Sequence, residues 1–446
     1  MAGNYFLEIY GCQMNLADGE LIRALLQGAG WKPVADAGCA DLIVINTCAV
    51  RERAVERVIG RVRSLRPWKR GAPRRRIALV GCLARYRGRS LAARLPEVDF
   101  FLGPDAYRRL PELVAGATSL PLFALAGERA ETYGDLPVQR QPGVNAWISV
   151  MRGCDRRCAY CMVPFARGRE RSLPVAQVLA AARAALAQGY PSLTLLGQTV
   201  TSYRDGACDF AALLGEVAAL PGLVRLRFLA AHPADFDARL LAGIAAQPVI
   251  ARHLHLPLQA GSDRVLESMR RGYTRAGYLE VVDQARELIP GLAITTDLMV
   301  GFPGEQEEDF AQTLSLMERV EFDQAFMFAY SARPHTYAAR RLADEVAPEV
   351  KQERLRRMIA LQEEHARRCY ARRIGTAVEV LVEGPARNPA GHWYGRTSDF
   401  KDVIFSAADP CDPRAGALAA VAVSGATSHT LLGRMREPRD GGPPAS

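Results

Sequence analysis

Three cysteines lie close together near the middle of the chain, in a pattern that could hold a metal cluster. Cys154, Cys158 and Cys161 stand in the segment RGCDRRCAYCMVPFARGRERS, with three and then two residues between them. Three thiolates in one loop can bind three corners of a four-iron, four-sulfur (4Fe-4S) cluster and leave one iron open. An open iron can take the amino and carboxylate groups of S-adenosylmethionine (SAM), and reduction then releases a 5′-deoxyadenosyl radical.

The same three cysteines allow two other interpretations. Zinc normally takes four ligands, and no fourth cysteine or histidine lies nearby in the sequence. The thiols could also be unrelated residues of a packed core. The spacing, with Tyr160 directly before the last cysteine, resembles the radical SAM superfamily. That resemblance suggests that Tyr160 lines the adenine pocket of SAM; the alternative is that its ring only packs the loop.

A second set of cysteines is spread along the first hundred residues but shares one local context. Cys12, Cys48 and Cys82 each come directly after a predicted strand, in FLEIYGC, LIVINTC and IALVGC. The carboxyl ends of parallel strands meet at one edge of a sheet, so the three thiols should converge there. We favour a second 4Fe-4S cluster, again with one free iron, here to hold exogenous sulfur. The alternative is that they are small buried apolar residues, as we expect for Cys39, Cys208, Cys369 and Cys411.

The elements that must position these residues form an α/β protein with a small β-module at its end. Residues 1–145 alternate short apolar strands, at 5–10, 42–46 and 77–80, with helices, which predicts a parallel α/β domain. Residues 146–373 repeat this theme with six strands, at 147–151, 193–196, 223–229, 253–256, 293–298 and 324–328, which predicts a partial TIM-type (β/α)6 barrel. Residues 374–437, with strands at 377–382, 403–405 and 419–423, predict a small β-barrel, and 438–446 a disordered tail.

Some other polar residues are weaker candidates for the site. Gln198 and Asp297 are placed by the pattern at the ends of the second and fifth barrel strands, where a SAM or substrate contact is expected. Arg167, Arg169 and Arg171 follow the cysteine loop and either meet phosphates or form a solvated basic face. For Gln198 and Asp297 the alternative is ordinary loop structure.

With both cysteine sets in view, the chain resembles the radical SAM methylthiotransferases over nearly its full length. The segments YGCQMN, INTCAVRE, HLPLQAGSDRVLESMRRGYT and TTDLMVGFPGE are similar to the branch of that family called MiaB. The C-terminal module is similar to a TRAM domain, a small RNA-binding barrel. The sequence departs from the family's usual residues at Thr199 and Phe400, where asparagine is common, and at His335, where glycine is usual.

The resemblance implies a tRNA-modifying enzyme. Its substrate would be the isopentenylated adenosine beside the anticodon, its cofactors two 4Fe-4S clusters and SAM, and its partners the tRNA anticodon stem-loop and an electron donor such as a flavodoxin or ferredoxin. SAM would serve both as methyl donor and as radical source. Two alternatives stay open: a methylthiotransferase for threonylcarbamoyl-adenosine or a ribosomal protein, and a non-catalytic iron–sulfur RNA-binding protein.

The composition is consistent with an RNA partner and with a cytoplasmic location. The formal net charge is +9, which suits a polyanion, although many basic proteins never bind nucleic acid. The first residues lack a basic segment and a long apolar run, so we expect no signal peptide, no membrane span and a cytoplasmic location. In such a protein, metal ligation explains the ten cysteines better than disulfides. We expect a monomer.

Overall fold

A computed structural model describes residues 3–49, 52–70, 72–116, 119–407 and 413–436. The predicted tail at 438–446 and Cys411 lie outside the described residues. Within these ranges, none of the helices combines the length and the apolar character that crossing a bilayer requires.

The N-terminal part is one parallel sheet with helices on both faces. Its strands are β1 (Asn4–Ile9), β2 (Lys32–Pro33), β3 (Leu42–Thr47), β4 (Arg76–Gly81), β5 (Phe100–Leu102) and β6 (Leu122–Ala124), in the order β2-β1-β3-β4-β5-β6. Its helices are α1 (Gln13–Gly28), α2 (Glu52–Ser64), α3 (Arg66–Lys69), α4 (Cys82–Ala92) and α5 (Leu110–Gly116). Alternate residues of β3 enter separate cores, Ile43 on one face and Val44 on the other, which explains its unbroken apolar sequence. The predicted parallel α/β sheet is confirmed.

The middle part is an open barrel of six parallel strands. Its main strands are β7 (Asn145–Ser149), β10 (Ser192–Leu196), β13 (Arg225–Phe228), β14 (His253–His255), β15 (Ala293–Val300) and β16 (Gln324–Ala329). They form two sheets, β13-β10-β7 and β14-β15-β16, and a parallel bridge between Leu226 and Ile250 connects the two. Short strand pairs add β8 (Met151–Arg152), β9 (Arg171–Ser172), β11 (Arg204–Asp205) and β12 (Cys208–Asp209). The predicted partial (β/α)6 barrel is confirmed.

Most helices of this part cover the outside of the barrel, and polar groups line its inner face. The helices are α6 (Val163–Arg167), α7 (Val175–Ala187), α8 (Phe210–Ala218), α9 (Ala238–Ala246), α10 (Asp263–Ser268), α11 (Arg275–Leu288), α12 (Glu307–Val320), α13 (Tyr337–Arg341) and α14 (Pro348–Ala371). Leu193 and Leu195 of β10 join the core beneath the helices. Thr194, between them, turns the other way and donates to the Asn145 side chain at 2.8 Å. This alternation buries apolar residues outward and leaves a polar interior.

The C-terminal part is a closed five-stranded barrel. It comprises β17 (Ala377–Pro385), β18 (Trp393–Thr397), β19 (Asp402–Ser406), β20 (Leu418–Ala426) and β21 (Thr430–Met435), closed in the order β17-β18-β19-β21-β20. Inward-facing valines and Phe405 fill its core. The predicted small β-barrel is confirmed, although only three of its strands were predicted.

The turn between β18 and β19 joins the two barrels. Phe400 sits there with φ of 62°, in the left-handed region that asparagine or glycine adopts more readily. Its ring lies 3.1 Å from the Arg227 guanidinium, measured to the ring centroid, and 5.2 Å from the His253 ring. Both of those residues belong to the open barrel and are buried. Stacking on a buried cation thus offsets the unfavourable backbone conformation.

Candidate metal centres

The loop after β8 brings Cys154, Cys158 and Cys161 to one cavity at the mouth of the open barrel. The cavity has a volume of about 460 Å³, and all three cysteines line it. We call these three the core trio. Gly153 begins the loop with φ of 79°, and a Cβ there would lie 1.9 Å from the Arg169 carbonyl oxygen, so only glycine fits.

Two polar side chains contact sulfur atoms of the core trio. The Thr199 hydroxyl lies 3.2 Å from Cys154 Sγ, and Arg271 Nη1 donates to Cys158 Sγ at 3.2 Å. Burial, together with the charge of Cys158, raises the pKa of Cys161 to about 12. Buried thiols of this kind become thiolates when bound iron supplies the positive charge that the protein lacks. The donor set therefore fits the cationic iron–sulfur core of a cluster.

Cys12, Cys48 and Cys82 follow β1, β3 and β4, which are neighbours in the N-terminal sheet. We call them the auxiliary trio. A hydrogen bond between the Cys12 and Cys48 side chains lowers the pKa of Cys12 to about 6. Burial raises the pKa of Cys82, and the nearby charge of Cys12 raises it further. The three side chains thus interact at one edge of the sheet, as the strand ends predict; their binding of iron stays a prediction.

Glycines and buried amides shape the turns that carry the auxiliary trio. A Cβ at Gly11 would lie 2.6 Å from Cys48 Cβ, and one at Gly81, where φ is 92°, would lie 2.7 Å from the Thr47 carbonyl oxygen. The Asn15 amide donates to that same carbonyl oxygen at 3.1 Å. Cys12 donates to Asn15 Oδ1 in return, at 3.4 Å. The sequence interpretation overlooked Asn15, although it stands in the quoted YGCQMN motif.

The spacing of the cysteine thiols bears on the choice of metal. Among the described residues, no three cysteine, histidine, aspartate or glutamate side chains are grouped so that they could hold a single metal ion. Ligands of a four-iron cluster bind separate corners and lie farther apart than ligands of one ion. Binding of a four-iron cluster by either trio therefore stays a prediction. None of the described cysteines forms a disulfide.

The cysteines outside both trios differ in their exposure. Cys208 and Cys369 are half-buried, but Cys39 is exposed, so the expectation that it is a buried apolar residue is wrong.

Arg167, at the end of the helix that follows Cys161, contacts the auxiliary trio. Its Nε donates to Cys82 Sγ at 3.2 Å, and its Nη2 donates to Asp18 at 2.8 Å. Arg152 donates to the other oxygen of Asp18 at 2.9 Å. Burial alone would raise the pKa of Asp18, but the two guanidinium groups hold it below its ordinary value. Arg167 is 3 % exposed, so the suggestion that it meets phosphates or lies on a solvated face is wrong.

Its two neighbours in the basic run have different environments. Arg171 is largely buried and pairs with Asp105 at 3.0 Å. Arg169 is exposed and pairs with Asp155 at 3.2 Å. Of the three arginines, only Arg169 therefore lies on a solvated face.

The remaining predicted site residues have clear positions. Gln198 follows β10, and its side-chain oxygen accepts from the Gly153 N–H, so it fixes the core trio's loop. Tyr160 packs edge-on against Phe302, with ring centroids 6.4 Å apart. Asp297 lies within β15 and not at its end, because the strand continues to Val300; its carboxylate is 3.3 Å from His255 Nε2. A role for Gln198, Tyr160 or Asp297 in SAM binding stays a prediction.

Exposed aromatic residues that sequence analysis missed line the same cavity as the core trio. Phe165, on α6, is 46 % exposed, and Tyr337, at the start of α13, is 40 % exposed. The Arg270 guanidinium lies 3.5 Å from the Tyr337 ring centroid. Phe165 comes four residues after Cys161, and Tyr337 lies in the segment YSARPHTYA. Nothing in the sequence indicated that these two residues line the same cavity. Both rings therefore line the cavity and are accessible to solvent.

Comparison with known proteins places the chain in a family. Residues 148–317 match the radical SAM superfamily, and residues 4–103 match the uncharacterized protein family UPF0004. A tRNA-2-methylthio-N(6)-dimethylallyladenosine synthase from Prosthecochloris aestuarii is 43% identical over 98% of this chain and 99% of its own length. The chain belongs to this synthase family. A relative of the same name from Chlorobaculum tepidum is 42% identical over 97% of this chain and 98% of its own. These matches confirm the resemblance to the MiaB branch.

Solved structures share the fold over about three quarters or more of the chain. The radical SAM methyltransferase TsrM from Kitasatospora setae, solved with cobalamin and a 4Fe-4S cluster, covers 76% of this chain and 77% of its own, with a TM-score of 0.57 and 16% identity. The cobalamin-dependent radical enzyme OxsB covers 81% of this chain and 56% of its own, with a TM-score of 0.51. At such identities the likeness concerns architecture alone.

Proposed function

We propose that this chain adds a methylthio group to carbon-2 of isopentenylated adenosine beside the anticodon of tRNA. The observation that carries this proposal is the pair of cysteine trios, one at the mouth of the open barrel and one at the edge of the N-terminal sheet, with Arg167 of the helix after the core trio in contact with Cys82. Full-length similarity to synthases of that name supports the same substrate.

The chemistry requires a radical, because carbon-2 of adenine carries an unactivated C–H bond. Cys154, Cys158 and Cys161 would hold a 4Fe-4S cluster, which together with bound SAM would supply a 5′-deoxyadenosyl radical able to remove this hydrogen. Cys12, Cys48 and Cys82 hold the second cluster in our proposal, and with it the sulfur that becomes the methylthio group. Gln198 and Gly153 keep the core loop rigid, so that the cysteines keep their positions.

The mouth of the cavity has side chains suited to recognition of an RNA base. A base turned out of an anticodon loop can stack on an aromatic ring, and Phe165 and Tyr337 present rings there. Arg157 and Arg270 line the same cavity and suit contact with the flanking phosphates. We propose that Tyr160 and Asp297 contribute to the SAM site.

The organisation, location and partners complete the proposal. We propose an N-terminal domain at 1–145, a radical SAM core at 146–373 and an RNA-binding TRAM-like domain at 374–437. We further propose a cytoplasmic monomer that receives electrons from a flavodoxin or ferredoxin.

Nucleoside mass spectrometry of tRNA tests the substrate. A strain that lacks this protein should accumulate isopentenyladenosine, and the wild-type gene should restore the methylthio nucleoside. Cys12→Ser should fail to restore it, whereas Cys39→Ser, at a cysteine that is also exposed but lies outside both trios, should succeed. Persistence of the methylthio nucleoside in the deletion strain would exclude this substrate, and loss of a methylthiolated threonylcarbamoyl-adenosine instead would favour the alternative.

Two measurements on the purified protein test the cofactors. Anaerobic reconstitution should give about eight irons per chain, and Cys48→Ser should retain about four. Incubation with SAM and a strong reductant should yield 5′-deoxyadenosine. Its absence would favour a non-catalytic iron–sulfur RNA-binding protein.

A further inference from the structure

The buried charges beside the auxiliary trio do not balance. Asp18 is the carboxylate that both Arg152 and Arg167 contact, so two guanidinium groups face a single negative charge. The Tyr107 hydroxyl, at 3.3 Å from Asp18, adds a donor and no charge. All four side chains are buried. One positive charge is therefore left over in a place where unpaired charge is costly.

The surplus charge faces the cysteines. Arg167 Nε contacts Cys82 Sγ at 3.2 Å, and the positive charge of Arg167 also acts to lower the pKa of Cys12. Its Nη1 is buried and has no hydrogen-bond partner among the described groups. Arg152 directs its Nη1 to Asp18 and its Nη2 to the Pro104 carbonyl oxygen, and its Nε is likewise buried with no hydrogen-bond partner among the described groups. Of the two arginines, Arg167 is thus the one that contacts a sulfur atom of the auxiliary trio.

A cluster bound by three thiolates carries net negative charge, and reduction adds one more electron. A guanidinium that donates to a ligand sulfur stabilises the more negative state and raises the reduction potential. We infer that Arg167 is a positioning residue of the auxiliary site, which sets the reduction potential of the cluster held there through its contact with Cys82. This inference rests on the proposed function, because it requires iron at the auxiliary trio.

The test separates the sulfur contact from the role of Asp18. The background is the full chain with Cys154→Ala, Cys158→Ala and Cys161→Ala, which leaves only the auxiliary trio to bind a cluster. Arg167→Gln and Arg152→Gln each remove one guanidinium from Asp18, but only the first removes a donor to sulfur. Midpoint potentials are measured by redox titration followed by electron paramagnetic resonance, with iron content determined on the same samples.

Arg167→Gln should shift the reduction equilibrium about tenfold toward the oxidised cluster, which is about 59 mV for one electron. Arg152→Gln should shift it by less than half as much. Arg167→Lys keeps the charge but lacks the Nε donor, so it should lower the potential by an intermediate amount. It also serves as the folded variant if glutamine prevents cluster binding.

The other outcomes would contradict either the inference alone or the auxiliary cluster on which it rests. Equal shifts in Arg167→Gln and Arg152→Gln, or an unchanged potential in Arg167→Lys, would overturn the inference while the proposed function stands. A background protein that binds no iron would overturn both the auxiliary cluster and the role of Arg167.

Discussion

Replacing Asp18 with asparagine should loosen the attachment of the N-terminal sheet to the open barrel. Asp18 lies on α1, whereas its partners Arg152 and Arg167 belong to the segment that carries the core trio. The Asp18→Asn change keeps the shape of the side chain and removes the charge. Two buried guanidinium groups would then face an amide that can neutralise neither of them.

The magnitude follows from burial. The Asp18 side chain is 1% exposed, and those of Arg152 and Arg167 are 3% and 4% exposed, so water cannot replace the lost partner. Removing one partner of a buried ion pair costs about 3–5 kcal/mol. The exposed pair of Arg319 and Asp283, with side chains 62% and 54% exposed, provides the matched control. There the same change, Asp283→Asn, should cost less than about 1 kcal/mol.

Hydrogen exchange measured by mass spectrometry reports the local opening free energy of α1 directly. We expect Asp18→Asn to lower this free energy by about 3–5 kcal/mol for α1 peptides and Asp283→Asn to leave it unchanged. Urea unfolding of the same variants gives the global effect. If exchange in α1 changed by no more than in the control, the buried ion pairs would not hold the two parts together and the reasoning would be wrong.

Three further predictions concern the cavity, the barrel junction and acid sensitivity. Phe165→Ala should weaken binding of an anticodon stem-loop by about ten- to a hundredfold in a fluorescence titration, because stacking on a ring contributes about 1–3 kcal/mol per base; Leu288→Ala, exposed on α11, should not. Phe400→Ala should remove the ring from Arg227 and lower the stability of the junction by about 1–2 kcal/mol. The loss should appear as faster proteolysis between the two barrels, and an unchanged rate of proteolysis would refute the stacking. Burial lowers the pKa of His232 to about 3, so the unfolded chain binds an extra proton below about pH 6.5 and stability should fall from there toward pH 3. Burial also lowers the pKa of His253 and of His365, so His232→Asn should reduce this slope of the urea midpoint without abolishing it, and an identical slope would contradict the prediction.

The sequence predicted the positions of site residues best where those residues follow the ends of strands. Cys12, Cys48 and Cys82 lie far apart along the chain, yet each follows an apolar strand, and a parallel sheet brings such positions to one edge. The same rule misplaced Asp297, because β15 runs three residues beyond it. Strand ends are set by pairing with neighbours, and Val300 pairs with Ala329 of the next strand.

Short or glycine-containing strands escaped prediction for a physical reason. β18 and β21 each contain a glycine, which weakens the pattern of a strand. In the folded barrel a Cβ at Gly395 or Gly433 would lie 2.3 Å from a carbonyl oxygen of the neighbouring strand, so close backbone approach requires the glycine. That requirement exists only once the barrel has closed.

Arg167 was misplaced because its partners are remote. Asp18 lies 149 positions away in sequence and Cys82 lies 85 away, so no local pattern distinguishes this arginine from its exposed neighbour Arg169. Its environment depends on how the N-terminal sheet docks against the open barrel.

The five-residue helix α6 leads from the loop of the core trio to a contact with the auxiliary trio. It begins two residues after Cys161 and ends at Arg167, which reaches Cys82. If the N-terminal sheet moved away from the barrel, either α6 would have to move with it or the contact between Arg167 and Cys82 would have to break. One short stretch of chain, a helix of five residues and a single guanidinium, therefore leads from the core trio's loop to a sulfur atom of the auxiliary trio.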